Sequence, residues 1–425
     1  MTISAKPNSG KLASEKPTSG DSPPAEPDFE ALRNRFDLPD GRVYLDGNSL
    51  GAMPRHVPRR IQELLHQQWA TDLISSWNAH EWIDLPQRTG DRIGRLVGAA
   101  PGQVICVDSV SVNIFKLLAL ALSLRPDRKV ILTAEQDFPT DTYIAQGLVQ
   151  LLGQERCELR RVPMNELEVA MDEDVAIVML TQVNYRTGEL AAMQDITASA
   201  HANGSLVLWD LAHSAGVVDM DLDALGVDMA VGCGYKFLNG GPGAPAFAYV
   251  NRKHHERLHQ PLAGWLGHRD PFAFSADYEP APGVAALQAG TPPIISLVAL
   301  DAALDVFDDV RMATLRERSL ALTSIFINGL EQAESLKSCR LVTPAVAERR
   351  GSQVSLAHEQ AWGVTQALID AGVIVDFRAP DIVRFGFSPL YNTVDDVETA
   401  LACLATVISE ERFRDSRFAH RPRVT

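Results

Sequence analysis

Between about residues 104 and 250 the chain repeats one pattern: a short continuous apolar run, a polar turn, then a longer stretch with apolar positions three and four apart. The runs are Val104–Val107, Lys129–Thr133, Leu159–Val162, Val175–Leu180, Ser205–Trp209, Met229–Val231 and Ala246–Val250. Strands apolar on both faces and alternating with helices predict a mostly parallel sheet covered on both sides. Upstream, Arg42–Leu45 reads as a short strand entering the turn Asp46-Gly47-Asn48-Ser49, with Pro54 just beyond. A helix follows, with Ile61, Leu64, Leu65 and Trp69 spaced to cover one face, and then a tryptophan-rich stretch, 71–86, without a clear period.

Downstream the period changes. Residues 293–334 read as one long helical stretch with Leu297, Leu300, Ala303, Leu304 and Phe307 roughly on one side. Segments 351–356, 373–377 and 382–387 alternate like half-exposed strands, with helices expected at about 360–371 and 393–410. The expected organisation is a disordered leader over 1–27, an N-terminal segment over 28–60 packing on the smaller unit, a large domain over 61–295, a small α+β domain over 296–410 and a basic tail over 411–425. The leader is rich in Ser, Pro, Gly, Lys and Glu and has no apolar signal core.

Composition narrows the partners. A net charge of -15 disfavours nucleic acid and anionic membrane, both of which need a basic footprint. The longest apolar candidate, Ile114 to Leu124, is short of the roughly 18 residues of a spanning helix and is interrupted by Lys116. Cys106, Cys157, Cys233, Cys339 and Cys403 are scattered without CxxC spacing, which indicates neither a disulfide framework nor a metal site and fits reduced thiols in a cytoplasm. Neither GxGxxG nor a Walker sequence occurs, so a nucleotide fold has no motif support. A small-molecule protein fits best.

Candidate chemistry sits at two strand ends. Asp210 closes the run Ser205–Trp209, and Lys236 follows Gly232-Cys233-Gly234-Tyr235 just after another. In an open α/β sheet the carboxyl ends of the strands border the ligand crevice. An acid and an amine there suit pyridoxal 5′-phosphate (PLP), whose aldehyde condenses with a lysine and whose ring nitrogen needs an acidic partner. Glycines on both sides of Lys236 permit close backbone approach. Asp210 alone would equally suit a helix cap. His213 either packs beside it or stacks on the cofactor.

Ser109-Val110-Ser111 lies where a helix should start, and exposed N–H groups and hydroxyls there form an anion site. Phe138 follows a strand end, where it suits a pyridine face or the core equally. Arg384 lies inside an apolar strand, a costly placement unless the guanidinium meets an anion. A substrate carboxylate would satisfy it, and so would an internal salt bridge.

These segments, taken in order, are similar to the kynureninase family of fold-type I PLP-dependent enzymes, from about residue 28 to 410. The matching stretches are Tyr44–Gly51, Val112-Asn113, Phe138–Asp141, Val183–Gly188, Trp209–Gly216, Gly234–Gly243, Gly264–His268, Ala289–Pro293, and Arg384 with Pro389–Asn392. The resemblance implies an α/β, transferase-like large domain with a smaller α+β domain. It implies hydrolysis of kynurenine to anthranilate and L-alanine, a carbon–carbon bond cleavage in tryptophan catabolism and NAD biosynthesis. Lys236 would hold PLP and move the α-proton, Asp210 would pair with the ring nitrogen, and Tyr235 would supply a late proton.

By the same resemblance Val110, Ser111, Thr181 and Tyr235 surround the phosphate end, Phe138 stacks on the ring, and Pro139, Thr140, Asp141 and His213 also border the cofactor. Trp265 and Thr291 match residues that reach the cofactor of a neighbouring subunit, implying a homodimer with shared active sites. Arg384 would hold the substrate carboxylate, with Trp77, Asn48 and Ser49 in the substrate pocket. Ser111 stands where many members have Thr and keeps the hydroxyl. Trp77 and Gly290-Thr291 replace the His and Ser-Asn of members that prefer 3-hydroxykynurenine, which favours plain kynurenine. The competing expectation is another fold-type I enzyme, a cysteine desulfurase or an aminotransferase. Cys339, in Ser338-Cys339-Arg340, lacks the glycine-rich loop of a desulfurase nucleophile.

Overall fold

The computed structural model describes residues 27–421; the expected leader, save Pro27, and the last four residues of the basic tail lie outside them. Seven strands form the main sheet. In spatial order they are Val104–Cys106, Ala246–Val250, Met229–Cys233, Leu206–Asp210, Val175–Thr181, Val130–Ala134 and Glu158–Val162. Only Ala246–Val250 runs against its neighbours. Side chains alternate across the sheet, so Val130, Leu132, Val207 and Trp209 enter one core and Ile131, Leu206 and Leu208 the other. Six of the strands are buried on both faces and read as apolar runs, whereas the edge strand Glu158–Val162 is partly exposed and carries Arg160 and Arg161.

The helix Val110–Leu124 covers one of those faces and carries a fully buried lysine. Lys116 Nζ donates to the Asp108 carboxylate at 2.5 Å and to the Leu287 carbonyl at 2.5 Å. These partners offset the cost of burying the charge.

A second, four-stranded antiparallel sheet runs Arg340–Leu341, Gln353–Ala357, Ile382–Gly386, Asp376–Arg378. The alternation foreseen here is real, but Gln353–Ala357 and Ile382–Gly386 are buried on both faces, not half exposed. Val354, Leu356, Val383 and Phe385 join a core with Phe326 and Leu404 from helices Met312–Gln332 and Val394–Ser409. The polar alternates Gln353 and Arg384 turn instead to the Tyr185 carbonyl of the larger unit. Polar positions therefore marked a buried contact with the site, where the pattern alone suggested water.

Three other expectations change. The long helical stretch breaks into Ile294–Ala303, the tight turn Leu304–Phe307 and Met312–Gln332. Residues 373–377 split between Val373–Ile374, which pairs with Val43–Tyr44, and Asp376–Arg378. Trp69 is 57% exposed because the helix Val57–Glu63 widens into a π-helical segment, Leu64–Asp72, which shifts it off the buried face. The N-terminal segment touches both cores: Phe36 enters that of the large sheet, while Val43 and Leu45 enter that of the small one.

The helix Leu85–Val97, not singled out in the sequence, places Gly90 and Gly94 on its buried face with Ile93, Leu96 and Val97. A Cβ on Gly90 would lie 2.3 Å from the Val104 carbonyl oxygen, so glycine is what lets helix and strand approach. Alanine there would improve helix propensity by about 1 kcal/mol. The clash with backbone costs more, and we expect Gly90→Ala to destabilise the fold by roughly 1–3 kcal/mol. Urea unfolding reads the difference; an unchanged or raised midpoint would refute it.

Candidate active site

Parallel strands that end at one edge leave their last side chains around a common crevice. Asp210 and Thr181 are cross-strand neighbours at that edge. Beyond the next strand, Lys236 sits on a turn in which Asn239 N–H donates to the Lys236 carbonyl at 2.9 Å and Asn239 takes a positive φ of 59°. Gly51, from the Asp46–Gly51 turn, donates its N–H to the Tyr235 carbonyl at 2.8 Å. A Cβ on Gly51 would fall 2.2 Å from the Lys236 carbonyl oxygen. The two turns are thus locked backbone to backbone behind the lysine.

Together these elements enclose a cavity of about 460 Å³. Its lining includes Val110, Ser111, Phe138, Thr140, Asp141, Thr181, Asp210, His213, Tyr235 and Lys236, together with Ser109, Tyr185, Cys233 and Pro293. At one end the helix Val110–Leu124 begins; the Ser109 hydroxyl accepts the Val112 N–H at 3.4 Å. The first-turn N–H groups of Val110 and Ser111 need an acceptor outside the helix, the setting in which an anion binds. Phe138 is 37% exposed, outside the core, and meets Tyr185 edge to face at 5.2 Å between centroids.

Lys236 Nζ lies 2.9 Å from His213 Nε2. Burial, then the Lys236 charge, hold the imidazole well below the usual histidine range, so it is neutral and can accept from the ammonium. Its Nδ1 has no partner among the described residues, nor do the Asp141 carboxyl oxygens. Burial raises Asp210, opposed by Lys236 and by the Ala212 N–H at 2.8 Å. Asp141 is raised by burial and then by Asp210 and Asp137. Tyr235 is pushed up by burial and by Cys233, and keeps its proton at neutral pH. Lys236 Nζ is 5.9 Å from its ring centroid.

Thr181 is not free to serve as a phosphate donor here. Its hydroxyl donates to Asp137 at 2.6 Å, and its N–H to the same carboxylate at 3.1 Å. Arg384 likewise already has an anion, Asp376, with Nε to Oδ1 at 2.6 Å. Burial would raise Asp376, but the hydrogen bond and charge of Arg384, with Arg378, hold it below the usual carboxylate range. Ser49 bridges this pair, while Asn48 is buried nearby with Nδ2 3.2 Å from Gln353 Oε1. Asp46 is pushed up to about 7 by burial and by Asp376.

Pro139 opens the helix Pro139–Leu152 without lining the cavity. Trp77 packs on Trp82 at 5.8 Å, also outside the lining. Trp265 and Thr291 are exposed, the latter two residues before the cavity-lining Pro293. Three residues that the motif reading had not singled out join the site: Asp137, Tyr185 and Asp376. An acid inside the apolar run Val373–Phe377 carries the same burial cost as Arg384 eight residues later, and matching the two would have revealed the pair.

Solved structures with this architecture define its class. A cysteine desulfurase from Thermococcus onnurineus NA1 superposes with a TM-score of 0.75 at 20% identity, over 90% of this chain and 98% of that one. A C-DES mutant with glycine covalently linked to its PLP cofactor gives 0.73 at 18% identity, over 88% and 98%. The fold is that of the fold-type I PLP-dependent enzymes.

Sequence narrows the class further. A kynureninase from Deinococcus radiodurans is 50% identical over 383 residues, spanning 89% of this chain and 93% of its own. One from Pseudomonas fluorescens is 46% identical over 406 residues, spanning 94% and 97%. The family model described as the kynureninase C-terminal domain matches residues 315–404. The chain belongs to the kynureninase family, and the desulfurase alternative falls away; burial also pushes the Cys339 thiol up to about 11, away from a reactive thiolate.

Burial raises the Asp137 carboxyl to about 7, even against its bonds from Thr181. An unfolded Asp titrates at about 3.9, so the native state holds a proton that the unfolded chain gives up. That stabilisation is complete below about pH 4 and is lost as pH rises through about 7. Asp137→Asn should therefore flatten the fall in stability between about pH 4 and 7, read from urea midpoints across pH. Parallel profiles for the two proteins would contradict the assignment.

Proposed function

We propose that the cavity is a PLP site at which kynurenine and water become anthranilate and L-alanine. Kynurenine hydrolysis follows from membership of the family, and the observation that carries the site is the Lys236 amine, held 2.9 Å from a neutral imidazole inside the crevice. The residues suit the cofactor. Unpartnered Asp141 oxygens and His213 Nδ1 await polar partners, a raised Asp210 would gain a cation from a protonated pyridine, and the open helix start matches a phosphate. Bound there, PLP supplies an electron sink for carbanions next to the amino group.

The chain's own groups do the rest. Val110 and Ser111 would hold the phosphate, and Ser109 and Thr140 also line the cavity. Phe138 would hold the ring, and Asp210, with Asp141 beside it, would supply the acid for the ring nitrogen. Lys236 is the attachment point and then the base that moves the substrate α-proton. His213 accepts from the lysine ammonium and keeps Nζ in place. Tyr235, protonated at neutral pH, is the donor for the β-carbon of the departing alanine. Thr181 acts through Asp137, steadying the strand edge beside Asp210. Arg384 takes the substrate carboxylate, with Asn48 and Ser49 beside it.

The partner arrangement rests on exposure. Trp265, 38% exposed, packs with Phe272 and is followed by Phe274, 77% exposed, an apolar projection suited to a second copy of the chain. In a homodimer Trp265 and Thr291 would complete the neighbour's cavity. Trp77 and Gly290-Thr291 favour kynurenine over its 3-hydroxy derivative; comparable kcat/KM for both would reject this.

Mixing the protein with kynurenine should generate anthranilate fluorescence, and no product would overturn the activity. Lys236→Ala should abolish turnover and the cofactor's visible absorbance band while leaving the far-UV circular dichroism unchanged. Parent-rate alanine release by that variant would refute the role of Lys236.

A further inference from the structure

Arg384 offers five N–H donors in a rigid fork, and the structure uses most of them internally. Nε donates to Asp376 Oδ1 at 2.6 Å and Nη2 to Oδ2 of the same carboxylate. Nη2 also donates to Ser49 Oγ at 3.1 Å, and Nη1 to the Tyr185 carbonyl at 2.6 Å. One Nη1 hydrogen is left without a partner among the described residues. Two-point binding of a carboxylate needs that hydrogen and the neighbouring one on Nη2.

Ser49 is the group that can yield. Its hydroxyl proton already goes to Asp376 Oδ2 at 2.5 Å, so it stays satisfied when its bond from Arg384 is given up. Asp376 cannot yield, because its Oδ2 also takes Arg378 Nη2 at 2.9 Å and its side chain is 2% exposed. The register fixes both partners: Asp376 and Arg384 are directly opposite on adjacent antiparallel strands. Two guanidiniums, Arg384 and Arg378, face Asp376, and the Asp46 carboxyl beside them is pushed up to about 7 by burial and by Asp376.

We propose that Asp376 is a positioning residue for substrate binding: clamped across the Nε–Nη2 edge of Arg384, it sets the guanidinium plane and leaves the Nη1–Nη2 edge for an amino-acid carboxylate, which displaces Ser49. This rests on the reading of Arg384 as the carboxylate-binding residue. Tyr185 connects the clamp to the cavity, since its carbonyl holds Nη1 and its ring packs on Phe138. The clamp acts before chemistry, so its loss weakens substrate binding without altering the bond-breaking step.

The test uses the holoenzyme with Asp376→Asn and Arg384→Lys. Asp376→Asn should raise KM for kynurenine by roughly tenfold with kcat within about threefold and an unchanged cofactor absorbance spectrum. Inhibition by L-alanine should weaken by a similar factor, whereas inhibition by L-alaninamide, which lacks the carboxylate, should not change. Asp376→Glu, which keeps the charge and shifts the clamp, should show the same split at smaller size and substitutes if the Asn variant does not fold. Equal weakening of both inhibitors would mark a merely structural role and overturn the proposal. An effect of Arg384→Lys alone would also overturn it while sparing the Arg384 reading; no effect of either variant would overturn both.

Discussion

The parallel sheet imposes the constraint on which the site depends. Strands laid side by side in one direction must all finish at the same edge, and there the hydrogen-bonded ladder stops while the side chains continue. Asp210, Thr181 and the turn carrying Lys236 are gathered by that requirement. The reversed strand Ala246–Val250 leads away from the crevice through Gly243, Ala244 and Pro245, which line its wall. Burial supplies the electrostatics. Raised carboxyls at Asp137, Asp141 and Asp210, and a depressed imidazole at His213, have one origin in a crevice poor in water.

The smaller sheet contributes a different kind of order. Its strands face helices with aliphatic and aromatic side chains, while Gln353, Ser355, Asp376 and Arg384 form a buried polar group in which Gln353 and Arg384 donate to the Tyr185 carbonyl. Such a surface is expensive to bury unless every charge finds a counterpart. The tie between Asp376 and Arg384, supplemented by Ser49 and Arg378, meets that demand. The bond from Arg384 to the Tyr185 carbonyl joins this cluster to a residue that lines the crevice.

The large sheet was legible in the sequence because burial on both faces removes polar residues from its strands. The Asp210 and Lys236 strand ends were legible for the same reason: an ionisable group after an apolar run stands out. Arg384 stood out too, but its counterpart Asp376 is found only when the two charged residues inside apolar runs are matched across adjacent strands, a step beyond reading each run by itself. The helix Leu85–Val97 was passed over although Leu85, Ile93, Leu96 and Val97 share its buried face with Gly90 and Gly94, because its mean composition is polar. Trp69 was misplaced because a π-helical segment changes the angular spacing on which periodicity relies. The tryptophan-rich stretch gave no period because its elements are a few residues long.

Lys116 gives the crevice one more property. Its single ammonium holds the Asp108 carboxylate, beside the helix start that faces the cavity, and the Leu287 carbonyl, six residues before Pro293 on the cavity wall. Two stretches of chain far apart in sequence are thereby strapped to a common point under the sheet. The start of the helix Val110–Leu124 and the segment leading to Pro293 thus share one tether, a lysine that never meets solvent.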